Sequence, residues 1–208
     1  MPEFEPRKRP RQERSRVTYE AMLEACARLL REDGYDALTT TQVAERAGVG
    51  IGTVYEFFPN KEALVAALIE QRVVRLVADA AAHLDATLAI QDVDGAAEYL
   101  IRGLVELVMS DRALYRVVLR DVPFSGRLPA MQRAIADLFA LARAGGERAV
   151  DRVSLPHLDA DTWLIARMVY QAVLEIAFAE EGAPDTETLT RELVRLVLRM
   201  MRAPERVA

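Results

Sequence analysis

The chain has 208 residues, enough for one large domain or two small ones with a buried core. Hydrophobic residues make up 51% and aromatic residues only 6%, and the abundance of alanine, leucine, valine and arginine favours helices over sheets. Charged residues make up 28%, which excludes extended disorder outside the termini. The net charge of −5 argues against a nucleic-acid partner only if the charge is evenly spread.

The charge is concentrated near the N-terminus. Residues 7–16 contain six arginines and lysines against Glu13 alone, so this segment carries +5 and the rest of the chain −10. A basic segment on an acidic body can bind a polyanion locally. Taken alone, the segment is equally well interpreted as a solvated tail.

The single cysteine, Cys26, excludes an intramolecular disulfide. It shares an apolar helical face with Met22, Ala25 and Leu29, which predicts that it is a small buried hydrophobic residue. No uninterrupted apolar run reaches about 18 residues, and the basic N-terminus lacks the short apolar core of a secretory signal. We therefore expect a cytoplasmic protein with no membrane partner.

In chain order, the first predicted element is a mobile basic arm, residues 1–13, rich in proline and arginine. A helix is predicted from about residue 15 to 31, and Gly34 is expected to form a left-handed C-terminal cap. Thr39 and Gln42 then have the spacing of a capping box, in which each side chain binds the other residue's backbone N–H. A short second helix is expected to begin there.

The second and third helices are both predicted to be short. Gly48 ends the second helix, and a third helix begins near Gly50. Pro59 stops the third helix, and Asn60 is placed to cap a long helix over about 61–86. Three helices in about 60 residues predict a small N-terminal bundle.

The rest of the sequence is also helical and contains no alternating strand pattern. Its helices are predicted to break around Asp92-Asp94-Gly95, from Asp121 to Pro129, at Gly145-Gly146, near Pro156 and at Gly182-Pro184. The predicted fold class is all-α. The expected domains are the arm 1–13, an N-terminal three-helix domain over 14–61, and a larger helical domain over 62–208.

The segment from Thr39 to Lys61 has the features of a helix-turn-helix. The turn is Ala47-Gly48-Val49, and the following helix opens with Gly50-Ile51-Gly52-Thr53. Two glycines cost a helix about 1 kcal/mol each relative to alanine. An exposed helix with that penalty indicates that its backbone approaches another molecule closely, and the major groove of double-stranded DNA fits.

These residues give the sequence a resemblance to the tetracycline-repressor (TetR) family of transcriptional regulators. The resemblance runs from about Arg14 to Leu68, and its motifs are Gly34-Tyr35, Leu38-Thr39, Val43-Ala44-Glu45-Arg46-Ala47-Gly48-Val49, Gly50-Ile51-Gly52-Thr53-Val54-Tyr55 and Phe58-Pro59-Asn60-Lys61-Glu62-Ala63-Leu64. It implies a homodimer, a palindromic operator and a helical C-terminal domain for ligand binding and dimerisation. The implied function is repression that a small apolar or amphipathic inducer releases.

The resemblance also implies which residues contact DNA. Tyr55 and Lys61 would hold phosphates, Phe57 would pack on the sugar-phosphate backbone, and residues 51–53 would face base edges. The full implied set is Thr39, Thr40, Thr41, Gly50, Ile51, Gly52, Thr53, Tyr55, Phe57 and Lys61. Phe58, in contrast, is expected in the core.

Two positions depart from the family's pattern. Gly50 replaces a usual serine, so the third helix loses a side-chain cap. Glu56 brings a carboxylate close to phosphates and is expected either to accept from a cytosine amino group or to pair with a nearby arginine. Next to a helix-turn-helix, the basic arm is interpreted as a DNA contact whose affinity depends on salt.

The C-terminal body is expected to hold the dimer interface and a ligand pocket. Two apolar helices, Trp163–Ala179 and about 186–201, would form a four-helix interface with a second chain, although burial inside one chain stays open. The interface set is Trp163, Arg167, Val173, Ile176, Leu189, Leu193, Leu196, Val197 and Met200. The pocket set is Leu104, Met109, Tyr115, Phe124, Met131, Phe139, Trp163, Met168 and Tyr170.

An enzyme is not expected, because the sequence contains no glycine-rich phosphate loop, no nucleophile with a recognisable partner and no distinct carboxylate cluster. No cofactor and no metal site are expected either. A DNA-binding regulator without an inducer, either constitutive or controlled by a partner, stays open as the alternative. A helical enzyme or ligand-binding protein is the remote one.

Overall fold

A computed structural model describes residues 4–88, 93–148 and 153–202. In these ranges the regular elements are helices, so the predicted all-α class is confirmed. The α-helices are α1 (Glu13–Ala37), α2 (Thr40–Ala47), α3 (Ile51–Phe57), α4 (Lys61–Leu88), α5 (Val93–Met109), α6 (Arg112–Arg120), α7 (Pro129–Arg148), α8 (Leu158–Ala177) and α9 (Thr186–Met201), with a 3₁₀ turn at Ser125–Arg127. None of these helices is long and apolar enough to cross a membrane.

The described chain divides into two compact units. The first contains the described residues up to Val74 together with Ala113–Gln132, and the second contains Arg75–Arg112 and the described residues from Arg133 onward. The first unit is thus larger than the predicted domain 14–61, because it also includes the first half of α4 and the segment that follows α6.

Helix α1 supplies much of the core of the first unit. Met22, Leu23, Cys26 and Leu30 have almost no exposed surface, so the predicted burial of the cysteine is confirmed. Burial also raises the pKa of the Cys26 thiol to about 12, because the thiolate would lose its hydration. The chain kinks at Gly34, whose φ of 78° is in the left-handed region that glycine adopts without strain, and a last helical turn follows.

The ends of α2 and α4 follow from local sequence. The Gln42 backbone N–H donates to the Thr39 hydroxyl at 3.2 Å, and the Thr39 N–H donates to Oε1 of Gln42 at 2.9 Å, so the predicted capping box is present. Gly48 ends α2 with a φ of 67°, the left-handed conformation that turns the chain toward α3. Oδ1 of Asn60 accepts a backbone N–H of the first turn of α4 at 2.7 Å, as predicted.

In the second unit α5, α8 and α9 pack against one another. Ile101, Val194 and Val197 form a buried cluster there. The predicted break at Gly145-Gly146 is wrong, because α7 continues through both glycines. A Cβ on Gly146 would lie 2.9 Å from Oγ1 of Thr162, so this glycine permits the close approach of α8 and does not end a helix.

Candidate DNA-binding surface

Helices α2 and α3, with the turn between them, form the helix-turn-helix that the sequence predicts. Each helix is short and buries one face: Val43 and Ala44 of α2, and Val54 and Phe57 of α3, face the core formed with α1. The opposite face of α3 is left open, and the side chain of Ile51 lies on it. Such an exposed short helix after a tight turn has the geometry of a helix that enters the DNA major groove.

The start of α2 meets the outer face of α3 at a pair of hydroxyls. The Thr40 hydroxyl lies 3.2 Å from the hydroxyl of Tyr55, and Tyr55 remains largely exposed. Thr39 and Thr41 are also exposed beside this pair, while Thr53 is half-buried on α3. The fold therefore brings the hydroxyl groups predicted for phosphate contact to one surface, together with the exposed edge of α3.

Glycine is present at two positions of this edge. Gly50 precedes α3 without any side-chain cap, and Gly52 lies inside the helix. A Cβ at either position would meet no atom within 4 Å. Packing within the described chain therefore does not require glycine at these two places.

Two predicted DNA contacts are engaged within the protein. Phe57 is 4% exposed, and its ring packs on Tyr19 with the centroids 5.6 Å apart, so its predicted packing on the DNA backbone is wrong. The spacing of Val54, Phe57 and Phe58 indicates one buried face of α3, and Phe58 is buried as expected. Nζ of Lys61 donates to two carbonyls at the end of α1 at 3.3 and 3.4 Å, so its role as a phosphate anchor stays a prediction.

The side of α2 away from α3 is tied to α1 by a charged pair. Both terminal nitrogens of Arg46 donate to the Glu32 carboxylate, at 3.0 and 2.9 Å. This pairing lowers the pKa of Glu32, because it favours the ionised carboxylate. Both terminal nitrogens of Arg46 are thus engaged within the protein, where they connect α2 to α1.

The basic segment before α1 does not project from the first unit. From Phe4 to Arg9 the chain contacts α3, α4 and the turn after α6, and the mobility of the arm stays a prediction. Lys8 donates to the Glu56 carboxylate at 2.7 Å, so the partner of this glutamate is a lysine of the arm and not an arginine. The two residues are 48 positions apart, and no local pattern in the sequence indicates the contact.

The predicted pocket residues fall into both units. Tyr115, Phe124 and Met131 belong to the first unit, and the other six belong to the second. Phe124 already has aromatic neighbours: Phe4 stacks on it at a centroid distance of 4.6 Å, and Tyr35 meets it edge-on at 5.9 Å. In the second unit Leu104, Met109, Phe139 and Tyr170 are half-buried, while Trp163 and Met168 are more than half exposed. The pocket itself stays a prediction.

The predicted dimer interface is partly core and partly surface. Val173, Ile176 and Val197 are buried within their own unit, so their assignment to a surface that meets a partner is wrong. Arg167, Trp163, Leu196 and Met200 are exposed on α8 and α9, while Leu189 and Leu193 are half-buried. Leu164 and Met168 of α8 are also exposed, and neither was in the predicted interface set.

In the described ranges no group of three histidine, cysteine or acidic side chains is placed to hold a metal ion. The surface instead combines a helix-turn-helix, an open helix edge and clustered hydroxyls. These features define a DNA-binding protein of the helix-turn-helix class.

Comparison with known proteins shows a similarity to one family. The family described as "Bacterial regulatory proteins, tetR family" matches residues 22–68, which contain α2, α3 and their turn. The HTH-type transcriptional repressor KstR of Mycobacterium tuberculosis is 28% identical over 155 residues, 73% of this chain and 70% of KstR. Residues 22–68 thus match the TetR family, and the chain is similar to TetR-family transcriptional regulators.

Solved structures share the fold over most of the chain. A Mesorhizobium loti protein described as a TetR-family transcriptional regulator superposes with a TM-score of 0.72 at 18% identity, covering 91% of this chain and 97% of that one. FadR of Bacillus subtilis, in complex with stearoyl-CoA, superposes with a TM-score of 0.67 at 15% identity, covering 88% of this chain and all of FadR. At these identities the likeness establishes the fold.

Proposed function

We propose that this regulator is a cytoplasmic homodimer that represses transcription by binding a palindromic operator, and that a small apolar or amphipathic ligand releases it. The observation that carries the proposal is the helix-turn-helix with an unobstructed α3 edge, within the segment 22–68 that matches the family. Repression is supported by the likeness to KstR, which is described as a repressor.

The contacts with DNA divide into two groups by chemistry. The hydroxyls of Thr40 and Tyr55 bind phosphate oxygens, which sets the register of the protein on the duplex, whereas the Thr39 hydroxyl already donates to Oε1 of Gln42. Ile51 and Thr53 face the bases, where isoleucine can touch a thymine methyl and threonine can donate or accept. Because this edge has few hydrogen-bonding groups, phosphate contacts supply most of the affinity.

The exposed face of α8 and α9 is the proposed dimer surface. Trp163, Leu164, Met168, Leu196 and Met200 are each 40–54% exposed on two helices that pack against each other. Apolar side chains gain about 1.5–3 kcal/mol each on full burial, so a second copy of the same face is a favourable partner. A two-fold dimer matches a palindrome whose half-sites lie about one DNA turn apart, roughly 34 Å.

An acyl-CoA is the class of inducer to test first. The related FadR was solved with stearoyl-CoA, an amphipathic ligand with a long apolar chain. Helix α4 contributes residues to both compact units of this chain, with the division after Val74. A ligand-induced shift of α4 would change the spacing of the two α3 helices, and a few ångströms would be enough to lose one half-site.

The test begins with selection of bound sequences from random duplex DNA by the purified full chain. A palindromic consensus is the expected result, and failure to enrich any sequence refutes operator binding. The chain–operator complex is then titrated with stearoyl-CoA, with coenzyme A and stearate as matched controls, while fluorescence anisotropy follows the DNA. Release by stearoyl-CoA supports the proposed inducer class, and unchanged affinity favours a regulator without this type of inducer.

A further inference from the structure

The recognition helix α3 is weak by itself. It has seven residues, no side-chain cap at its N-terminus and a glycine at its second position. Helices this short do not form alone in water, because too few hydrogen bonds offset the ordering of the first turn. Its position therefore depends on the groups that contact its ends.

The residues before α1 supply such contacts at the C-terminal end. The backbone N–H of Arg7 donates to the Phe57 carbonyl at 2.7 Å, and Nη1 of Arg7 donates to the Tyr55 carbonyl at 3.0 Å. Carbonyls in the last turn of a helix have no partner within the helix, and a cation is favourable there because of the helix dipole. Arg7 therefore acts as a C-terminal cap supplied from a distant part of the chain.

Lys8 contacts the side chains of the same turn. Its Nζ lies 2.7 Å from Oε2 of Glu56 and 4.6 Å from the centre of the Phe57 ring. Glu56 is exposed on α3, the helix proposed to enter the groove, where a carboxylate without a counter-charge would repel phosphates. Lys8 neutralises the charge that is least compatible with DNA binding.

Two further contacts fix this segment on the first unit. Nη2 of Arg9 donates to both carboxylate oxygens of Glu70 in α4, at 2.9 and 2.7 Å, and this ion pair raises the pKa of the arginine. Phe4 stacks on Phe124 in the turn after α6. Arg7 and Lys8 are thus held between two anchors, which reduces the entropy cost of placing them against α3.

We propose that Lys8 is a positioning residue for DNA binding, which acts through Glu56 and holds the C-terminal end of α3 ready for the groove. In this proposal the positive charges of residues 7–9 pair with groups of the protein itself and do not contact phosphates. This differs from the interpretation of the arm as a direct DNA contact. This inference depends on the proposed operator binding.

A double-mutant cycle on the full chain tests it with the selected operator. Lys8→Met weakens binding about fivefold in the wild-type background, the size expected for one exposed charge pair. In the Glu56→Gln background the same change has no effect, because no carboxylate remains to be neutralised. Lys8→Arg keeps the charge and retains wild-type affinity.

The salt dependence separates this role from a phosphate contact. The association constant falls as the salt concentration rises, and each lost phosphate contact reduces the steepness of this log–log dependence by about 0.9. In the Glu56→Gln background, Lys8→Met leaves that slope unchanged if Lys8 acts through Glu56. If Lys8→Met weakens binding equally in both backgrounds, or makes the salt dependence in the Glu56→Gln background less steep by about 0.9, Lys8 contacts the phosphates and the proposal is overturned. No loss from Lys8→Met in the wild-type background overturns it as well.

Arg11→Met is the matched control, since it also removes one positive charge of the basic segment. In the described residues Arg11 has no ion pair, so its effect is the same in the wild-type and the Glu56→Gln backgrounds. Thermal melts within about 2 °C of the wild type establish that the variants fold. If the wild-type chain enriches no DNA sequence, the proposed operator binding is refuted. If an operator is bound but the effects of the two substitutions are additive, only the proposal for Lys8 is refuted.

Discussion

Replacing Gly52 by alanine should make the protein more stable and a poorer DNA binder. In the free protein a Cβ at this position meets nothing within 4 Å, so no steric cost opposes the gain in helix propensity. Glycine costs a helix about 0.5–1 kcal/mol relative to alanine, which corresponds to about 1–4 °C in the melting temperature of a protein this size. The helix would gain stability without any new contact.

On DNA the same methyl group lies on the edge that enters the groove. If the backbone of α3 approaches the bases closely, displacing it costs about 1–3 kcal/mol, or roughly 5- to 150-fold in affinity. Fluorescence anisotropy with the selected operator and denaturant unfolding measure the two effects. Gly126→Ala is the matched control, because its Cβ also meets open space outside α3 and DNA binding should not change. Wild-type affinity in Gly52→Ala would refute the close approach.

Three further outcomes are expected. Gly50→Ser supplies the missing cap of α3, so it should raise the unfolding free energy by a few tenths of a kcal/mol in denaturant titrations. Trp163→Glu should give a monomer in sedimentation experiments and weaken operator binding more than about tenfold. Val74→Glu places the same charge at an exposed apolar site outside α8 and α9, and it should leave the dimer intact. The buried Cys26 thiol, with its pKa raised to about 12, contributes stability that is present below its unfolded pKa near 9 and is lost between pH 9 and 12, at up to about 1.4 kcal/mol per pH unit. Alkaline denaturation of Cys26→Ala should lack that slope, and parallel profiles would contradict the assignment.

The helix ends show how far local sequence reaches. The box formed by Thr39 and Gln42, the left-handed Gly48 and the cap by Asn60 join groups no more than three or four residues apart. Such contacts form with little loss of chain entropy, so each was predictable from a few neighbouring residues. The helix-turn-helix and its open edge followed from them.

Other features of the fold depend on contacts between segments that are far apart in the sequence, and these contacts were not predicted. The burial of Phe57 against Tyr19 and the pairing of Lys8 with Glu56 join segments that are distant in the sequence. At Gly145-Gly146 the sequence indicated a break, whereas the close approach of α8 requires a helix without a side chain there.

The sequence by itself determined that the chain is helical and that it carries a helix-turn-helix. Periodicity and capping encode these properties within single elements. Only the tertiary structure decided how the apolar residues of α8 and α9 divide between the core, as Val173 and Val197, and the exposed face, as Trp163 and Leu196. Residues of the same apolar type are equally hydrophobic wherever they occur in the sequence. The packing of neighbouring helices therefore determines which of them are buried.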